Sequence, residues 1–411
     1  MRNFRRLFIS LVIVAATAFA AAPKTDPSVV SQAGMDPARV AKIAARMQQF
    51  VDAQTAAGFV TLVARHGTIV SLDAVGLRDI ESRSPIEQNT LFQIASMTKP
   101  VTAVGVMILM EEGRLALTDP VEKHLPEFRG LWMIESRDGT DRMTLKRPSR
   151  SITIRDLLTH TSGMSGGFPE GLKDLFTKRD HTLAEAVLAY SQQPLEFEPG
   201  AQWRYSNTGI ATLGRIIEVV SGQPYEQFIA QRILQPLGMK DTHYFPPPEV
   251  HKRIASIYDI EDGKLKKDER REYFRMGKKY PAPEGGLYST AEDMFRFYQM
   301  MLNGGAFGGA RVLSKSAVEL MTRLHTADLK AGFAPGMGYG LAWSVVRNPE
   351  GVFRMNSIGT YGHGGAFRTY GFVDPKKELI GVILYQRVTG GGDLADEINA
   401  FIAMANAAVV D

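Results

Sequence analysis

The hydrophobic pattern of this chain changes character between its ends and its middle. Near both ends, short apolar runs bounded by glycine, proline or charged residues predict β-strands. The run at residues 378–386 is apolar almost throughout, which is typical of a strand buried on both faces. The predicted strands are residues 59–65, 68–74, 340–346, 369–374 and 378–386, and His66-Gly67 joins the first two as a hairpin turn.

Between these runs, apolar residues recur with the period of an α-helix. Thr153 and Asp156 have the spacing of a capping box, which marks one helix start. Two polar stretches interrupt this pattern. Residues 128–151 predict a loop or a small excursion, and residues 262–279 predict a solvated surface loop, with a substrate-facing lid as the alternative. The predicted helices are residues 36–56, 96–112, 153–160, 182–192, 209–220, 224–233 and 393–409.

This order of elements predicts an α/β (α+β) protein. Strands from both ends of the chain would form one antiparallel sheet flanked by N- and C-terminal helices, and the middle would form an inserted all-helical domain. We place a discontinuous α/β domain at residues 30–90 and 285–411 and a mainly helical domain at residues 91–284. A functional site is expected in the cleft between two such lobes.

The first residues have the pattern of a secretory signal peptide. Arg2, Arg5 and Arg6 precede an apolar run at residues 7–16, and an A-x-A-like site follows at residues 18–20. The alternative is a membrane anchor, but the run is shorter than the roughly 20 apolar residues that span a bilayer. We therefore predict a signal peptide at residues 1–22, cleaved near Ala20, and a periplasmic or secreted protein without stable membrane insertion.

Composition excludes several classes of function. The formal net charge is +4, and three of the arginines but no acidic residues lie in residues 1–20, so the mature chain is nearly neutral. This argues against a nucleic-acid partner. The absence of cysteine excludes disulfide bonds and a thiol nucleophile. The histidines are scattered and no H-E-x-x-H pattern occurs, so we predict neither a metal nor a cofactor.

One serine and one lysine are spaced for chemistry. Ser96 and Lys99 form an S-x-x-K segment at the start of a predicted helix. Residues three apart on a helix are neighbours on one face, with Cβ atoms about 5–6 Å apart. The amine can therefore reach the hydroxyl, and Pro100 is tolerated because the first turn has no intrahelical N–H partner to lose. The segment alone does not distinguish a reactive site from a polar helix start.

Two further segments give the serine a context. Tyr205-Ser-Asn207 lies in the helical middle, and His363-Gly-Gly-Ala366 precedes the predicted strand at residues 369–374. S-x-x-K, Y-x-N and H-G-G, in this order, resemble the serine β-lactamase and penicillin-binding-protein superfamily. The likeness is to the class C β-lactamase-like branch with its family VIII carboxylesterases, and it covers roughly residues 35–404. It implies a β-lactamase/transpeptidase-like fold.

The resemblance also implies a role for each residue. Ser96 would be the nucleophile, and Lys99 or Tyr205 would remove its proton. Both side chains titrate near pH 10 when free, so one pKa must be lowered, and the two together leave the identity of the base open. Asn207 would hold the lysine and bind a substrate carbonyl, and Tyr205 would activate water for deacylation.

The H-G-G segment would supply the oxyanion hole. The backbone N–H groups of Ser96 and Ala366 would bind the oxyanion, and Gly364 and Gly365 would let the strand edge approach the substrate. Lactamases usually carry a lysine at the position of His363, where a fixed cation helps to bind the carboxylate of the drug. Histidine is only partly charged near pH 7, which favours uncharged esters. Arg368 could restore a cation or could be a surface strand residue.

Three other residues carry alternative interpretations. Ser165 lies in a G-x-S-x-G segment like the nucleophile elbow of α/β-hydrolases, but that motif needs a preceding strand, and here a helix is predicted before it. We interpret this segment as a loop. Trp203 and Tyr361 could line an acyl pocket or pack in the core.

The sequence thus predicts a cofactor-free, exported serine hydrolase that takes a small-molecule acyl substrate, an ester or a lactam. We rank a carboxylesterase first, and a β-lactamase or a D-amino-acid peptidase or transacylase next. The alternative of another class is a catalytically silent penicillin-binding or sensing protein.

Overall fold

A computed structural model describes residues 26–139, 142–169, 171–172, 177–389 and 395–411. The predicted signal peptide lies outside these residues. The strands are β1 Gly58–Arg65, β2 Thr68–Asp79, β3 Ser84–Pro85, β4 Phe92–Gln93, β5 Met133–Asp138, β6 Arg142–Lys146, β7 Tyr258–Glu261, β8 Lys264–Lys267, β9 Tyr288–Ser289, β10 Ala306–Phe307, β11 Ala310–Arg311, β12 Met337–Tyr339, β13 Ser344–Val346, β14 Tyr361–Gly364, β15 Tyr370–Asp374 and β16 Leu379–Leu384.

The largest sheet joins the two ends of the chain. Its strand order is β12-β13-β14-β15-β16-β1-β2-β3, and each neighbouring pair is antiparallel. β1 pairs with β16, so that Val60 lies opposite Leu384. The predicted antiparallel sheet is therefore confirmed. The turn at His66 and Gly67 has positive φ at both residues, as a tight hairpin with the right-handed twist of its strands requires.

Side chains of the central strands alternate between two cores. Val60 and Leu62 of β1 pack into the larger core, whereas Phe59 and Val63 pack into a smaller one. Because both faces of the strand are covered, its apolar run is almost continuous rather than alternating. β16 has the same property, with all six of its residues buried.

The helices cover the two faces of this sheet and build the middle of the chain. The helix Lys42–Asp52 and the closing helix pack on the smaller core, and the helix Ala291–Leu302 packs on the larger one. The helices are α1 Pro27–Gln32, α2 Pro37–Val40, α3 Lys42–Asp52, α4 Thr98–Glu111, α5 Val121–His124, α6 Ile154–Leu158, α7 Leu183–Ser191, α8 Asn207–Ser221, α9 Tyr225–Ile229, α10 Ala291–Leu302, α11 Lys315–Thr322 and α12 Asp396–Ala407.

Helix α4 is the centre of the middle region. From Thr98 to Leu109 its residues are buried on every side, as in a helix surrounded by other elements. A Cβ at Gly105 would lie 2.9 Å from a methyl of Ile229 and 3.0 Å from one of Ile217, so the missing side chain allows α8 and α9 to approach closely.

The middle region differs from the prediction of helices alone. Residues 91–284 also contain the hairpins β5–β6 and β7–β8. The β5–β6 hairpin is largely exposed, and β5 lacks the apolar alternation from which we predict strands, while the five residues of β6 alternate only briefly within a polar stretch. The strand predicted at residues 340–346 is also wrong in part, because β12 and β13 form a hairpin about a turn there. Among the described helices, none is both long and apolar enough to cross a bilayer.

Candidate active site

Ser96 lies at the junction between a strand and a helix. It is in the 3-10 turn Ala95–Met97, and the α-helix begins at Thr98 rather than at Ser96 as predicted. The preceding Ala95 has a φ of +46°, a conformation that costs a non-glycine residue free energy, of the order of 1–3 kcal/mol. This turn leaves the side chain of Ser96 half-buried while its neighbours are buried. The strained turn therefore presents the hydroxyl at the edge of the core.

Lys99 lies directly beneath this hydroxyl. Its Nζ is 2.9 Å from the Oγ of Ser96 and 2.6 Å from the carbonyl oxygen of Glu284. Burial lowers the pKa of Lys99 to about 7, and the nearby carboxylate of Glu284 opposes part of this effect. About half of the amines are therefore neutral near pH 7, and a neutral amine can accept the proton of the serine hydroxyl.

Tyr205 lies on the other side of the amine. The Nζ of Lys99 is 4.7 Å from the centroid of the Tyr205 ring. Tyr205 comes two residues before helix α8, where the Oγ of Ser206 caps the helix by accepting a hydrogen bond from the N–H of Gly209. The structure thus brings together the three residues that sequence analysis assigned to proton transfer.

Asn207 occupies the first position of helix α8, and its side chain is exposed. The structure gives the amine of Lys99 hydrogen bonds to Ser96 and to the carbonyl of Glu284, and it shows none between Lys99 and Asn207, which are both described residues. The backbone carbonyl of Glu284 thus occupies the place that sequence analysis gave to the amide. Binding of a substrate carbonyl by Asn207 remains a prediction.

The H-G-G segment approaches the serine from the sheet. His363 and Gly364 end strand β14, and Ala366 lies exposed in the turn that follows. A Cβ at Gly365 would overlap the carbonyl oxygen of Ile94, so glycine permits the turn to pack on the segment that carries Ser96. The Oγ1 of Thr369 donates a hydrogen bond to the same carbonyl at 3.0 Å. This contact places the proposed oxyanion donors on adjacent segments.

His363 faces the protein rather than the cleft. It is 2% exposed, and its Nε2 lies 3.1 Å from the hydroxyl of Tyr339 while its Nδ1 lies 2.7 Å from the carbonyl oxygen of Gly364. Burial, together with the positive charge of Lys99, lowers the pKa of His363 to about 3. The imidazole is therefore neutral at pH 7, so it supplies no fixed cation.

Arg368 does not lie on the surface, contrary to one interpretation of the sequence. It is 7% exposed, its φ is +68°, and its guanidinium donates to the carbonyl of Val388 at 3.2 Å. The guanidinium of Arg368 therefore forms a hydrogen bond inside the protein, to the segment that carries Val388.

The two aromatic residues lie in different surroundings. Trp203 lies beside the site, with its ring centroid 6.4 Å from that of Tyr205, whereas Tyr361 is buried in the larger core against Trp343. Phe333, which the sequence analysis missed, is 48% exposed and lies 4.9 Å from the Tyr205 ring. A single phenylalanine in a loop of small residues gives no periodic pattern by which it could be found.

Ser165 lies in a loop, as predicted. It follows helix α6, and its hydroxyl accepts a hydrogen bond from the N–H of Gly167 at 3.3 Å. Its backbone carbonyl accepts hydrogen bonds from the hydroxyls of Ser206 and Thr208. The loop therefore supports the turn that carries Tyr205.

The polar stretch at residues 262–279 lines a cleft as well as the surface. Asp268, Arg270, Tyr273 and Met276 face a cavity of about 450 Å³ that also reaches the side chain of Glu284. Glu284 is enclosed by protein except toward this cleft, and burial raises its pKa. Because the carbonyl of Glu284 bonds Lys99, the cleft lies next to the reactive group. The size is within the range of small-ligand sites.

Potential metal ligands are not clustered in the described part of the chain. No group of three or more histidine, aspartate or glutamate side chains is arranged there to hold an ion. The structure places the Nζ of Lys99 within hydrogen-bond distance of the Ser96 hydroxyl and beside the ring of Tyr205, an arrangement compatible with activation of a serine nucleophile.

Several known proteins are similar to this chain over most of its length. Protein Rv1367c of Mycobacterium tuberculosis is 35% identical over 363 residues, which cover 83% of this chain and 88% of that protein. Esterase EstB of Burkholderia gladioli is 30% identical over 378 residues, with 84% and 92% covered. Penicillin-binding protein 4* of Bacillus subtilis is 29% identical over 333 residues, with 78% and 66% covered.

A solved structure shares the fold over nearly its whole length. EstCE1, a hydrolase with promiscuous acyltransferase activity, superposes with a TM-score of 0.74 at 24% identity, and the match covers 94% of this chain and 99% of that one. The family model described as Beta-lactamase matches residues 43–404. This chain therefore belongs to the Beta-lactamase family of serine hydrolases, which its three sequence segments resemble.

Proposed function

We propose that this protein is an exported carboxylesterase that hydrolyses small, uncharged acyl esters through an acyl-enzyme on Ser96. The observation that carries the proposal is the distance of 2.9 Å between the Oγ of Ser96 and the Nζ of Lys99, whose pKa is lowered to about 7. A serine hydroxyl is a poor nucleophile until a base takes its proton, and the buried amine meets that need near neutral pH.

The proposed reaction proceeds in two halves. The pair of Lys99 and Tyr205 takes the proton of Ser96 as Oγ attacks the ester carbonyl, and the N–H groups of Ser96 and Ala366 bind the oxyanion. The proton then passes to the leaving alkoxide, and the acyl-enzyme remains. In the second half Tyr205 takes a proton from a water molecule as it attacks the acyl carbon, the bond between this carbon and the Oγ of Ser96 breaks to release the carboxylic acid, and the proton passes from Tyr205 to Ser96.

Two features support an ester over a lactam as substrate. The neutral His363 stands where a lysine of lactamases would bind a carboxylate, so that attraction is missing at this position. Phe333 presents a half-exposed ring beside Tyr205, and its centroid is 5.6 Å from that of Trp203. An apolar group of the substrate can cover this aromatic surface, and its removal from water would favour binding.

The test compares two chromogenic substrates. Hydrolysis of short p-nitrophenyl esters and of nitrocefin is measured with the mature protein and with Ser96→Ala. We expect turnover of the esters, little turnover of nitrocefin, and loss of both in Ser96→Ala. Intact mass spectrometry after rapid mixing should show the added acyl mass on the wild-type chain only.

Other outcomes select the alternatives. Nitrocefin turnover much faster than that of any ester would contradict the esterase proposal and indicate a β-lactamase. A long-lived penicillin adduct without steady-state hydrolysis of any substrate would indicate the silent penicillin-binding protein. Export is tested separately, because the N-terminal sequence of protein from the periplasm or medium should begin near residue 21.

A further inference from the structure

Three buried side chains outside the catalytic trio form a continuous line. The Nε2 of His160 lies 3.1 Å from the hydroxyl of Tyr339, and the same hydroxyl lies 3.1 Å from the Nε2 of His363. His160, Tyr339 and His363 are 1%, 0% and 2% exposed. We call these three residues the His–Tyr–His chain. They come from a loop after helix α6, from strand β12 and from strand β14.

Backbone groups fix the direction of the hydrogen bonds at the two ends, and with neutral imidazoles this also fixes the two bonds to Tyr339. At one end the N–H of Ser206 donates to the Nδ1 of His160 at 3.2 Å, so the proton of that imidazole is on Nε2 and is donated to Tyr339. At the other end the Nδ1 of His363 is 2.7 Å from the carbonyl of Gly364, which can only accept. The Nε2 of His363 therefore has a free lone pair for the Tyr339 hydroxyl. One tautomer of each imidazole satisfies all four bonds.

Electrostatics agree with neutral imidazoles. Burial and the positive charge of Lys99 lower the pKa of both His160 and His363. A second proton on the Nδ1 of His160 would also face the N–H of Ser206, a backbone donor of fixed direction.

The two ends of the His–Tyr–His chain lie on two segments of the proposed active site. The carbonyl of His160 accepts a hydrogen bond from the N–H of Arg204 at 2.9 Å, so His160 holds the residues before and after Tyr205. Its ring also packs on that of Tyr205, with 4.5 Å between centroids. At the other end, the Nδ1 of His363 bonds the carbonyl of Gly364, two residues before Ala366. The His–Tyr–His chain therefore connects the turn that carries Tyr205 to strand β14, which leads into the turn with the proposed oxyanion donor Ala366.

We propose that His160, Tyr339 and His363 are positioning residues, which fix the distance between Tyr205 and the oxyanion strand. This inference rests on the proposed function and assigns His363 a role through its neighbours rather than a contact with substrate. Such a link acts mainly in the transition state, where proton transfer and oxyanion binding must occur together. Its loss should lower kcat and leave KM nearly unchanged.

The direct test is the protonation pattern of the imidazoles. Nitrogen-15 NMR of the histidine-labelled Ser96→Ala protein, assigned with His160→Gln and His363→Gln, should show a proton on Nε2 of His160 and on Nδ1 of His363. This readout does not depend on catalysis, so it separates failure of the inference from failure of the proposed function. The opposite tautomer at either ring, or a charged ring at pH 7, would overturn the inference.

The kinetic test removes a single hydroxyl. Tyr339→Phe should lower kcat for a p-nitrophenyl ester about 10- to 100-fold and change KM less than about 3-fold. Tyr385→Phe is the matched control, because it removes a buried hydroxyl that lies 3.3 Å from Glu397 in the smaller core. Equal losses of kcat in the two variants would show a general effect of buried hydroxyls and refute a positioning role.

A second pair of variants covers the case in which Tyr339→Phe does not fold. His363→Gln keeps an oxygen that can accept from Tyr339, whereas His363→Leu removes the acceptor. Glutamine should retain at least about 10-fold more kcat than leucine at similar KM. If leucine is as active as glutamine, the hydrogen bond at His363 does not position the strand.

Discussion

The central prediction concerns the protonation of Lys99, and Lys99→Arg tests it. Arginine keeps a cation and hydrogen-bond donors near the serine, but it does not lose its proton at any working pH. If the amine of Lys99 is the base, the variant loses the base while the positive charge stays. If Lys99 acts instead as a fixed cation that lowers the pKa of Tyr205, the variant keeps that function.

The magnitude follows from the pKa of about 7 that burial gives Lys99. About half of the amines are neutral at pH 7, whereas a lysine with the ordinary pKa of ~10.4 is neutral in about one molecule in 2,500. Burial thus increases the reactive fraction about 10³-fold. Arginine has fewer than about one neutral molecule in 10⁵, so acylation in Lys99→Arg should fall about 10³-fold or more.

The assay is the burst of p-nitrophenol in rapid mixing between about pH 5.5 and 9. In the wild type the acylation rate should rise with pH through a midpoint near 7 and then level off, because the neutral amine is the active form. Lys315→Arg makes the same change at a site that is 81% exposed and should match the wild type. A rate for Lys99→Arg within about tenfold of the wild type would refute Lys99 as base and favour Tyr205.

Three other variants probe the same site. Gly365→Ala should lower kcat about 10²- to 10³-fold while the circular dichroism spectrum stays unchanged. The added Cβ would displace the turn from Ile94 and move a proposed oxyanion donor out of place. An unchanged kcat would contradict this role of the contact. Lys99→Met should raise the free energy of unfolding in urea by about 2 kcal/mol or more at pH 6.5. The folded-state pKa of about 7 lies below the unfolded value, so the unfolded chain binds more protons at pH values between the two. The wild type therefore loses stability as pH falls through this range, and methionine does not. The gain in stability should shrink as pH rises from 7 toward 10.5. A variant no more stable than the wild type at pH 6.5 would show that burial of the Lys99 amine does not destabilise the folded protein. Ser165→Ala should keep ester hydrolysis within about 2-fold of the wild type, whereas Ser96→Ala should lose it, and the reverse result would make the G-x-S-x-G serine the nucleophile.

The fold was predictable where local pattern and tertiary burial agree. The apolar run of β16 indicates a strand because residues with no polar alternation must be covered on both faces, and the structure covers them with two cores. The capping box of Thr153 and Asp156 is present at the start of α6. The exposed hairpin β5–β6 gave no such signal, because its side chains are largely exposed and no buried face imposes a pattern on them.

The sequence named candidate site residues that the fold brings together, and it indicated only part of their contacts. Ser96 and Lys99 are three residues apart, so backbone geometry alone puts their side chains within reach. Glu284 and His160 were not found as contributors, because their contacts to Lys99 and to the Tyr205 turn join residues far apart in the chain. The motif likewise does not reveal the contacts of His363, because its partner Tyr339 is brought to it only by the fold.

The sequence by itself determined the main helices, the buried strands of the sheet and the candidate site residues, since periodicity, capping and three-residue spacing are local properties of the chain. Only the tertiary structure decided the state of those residues. The pKa of Lys99 falls because surrounding segments remove water from its amine, and the carbonyl that holds it belongs to Glu284, 185 residues away. Desolvation is a sum over atoms from the whole fold, so no local stretch of sequence contains it.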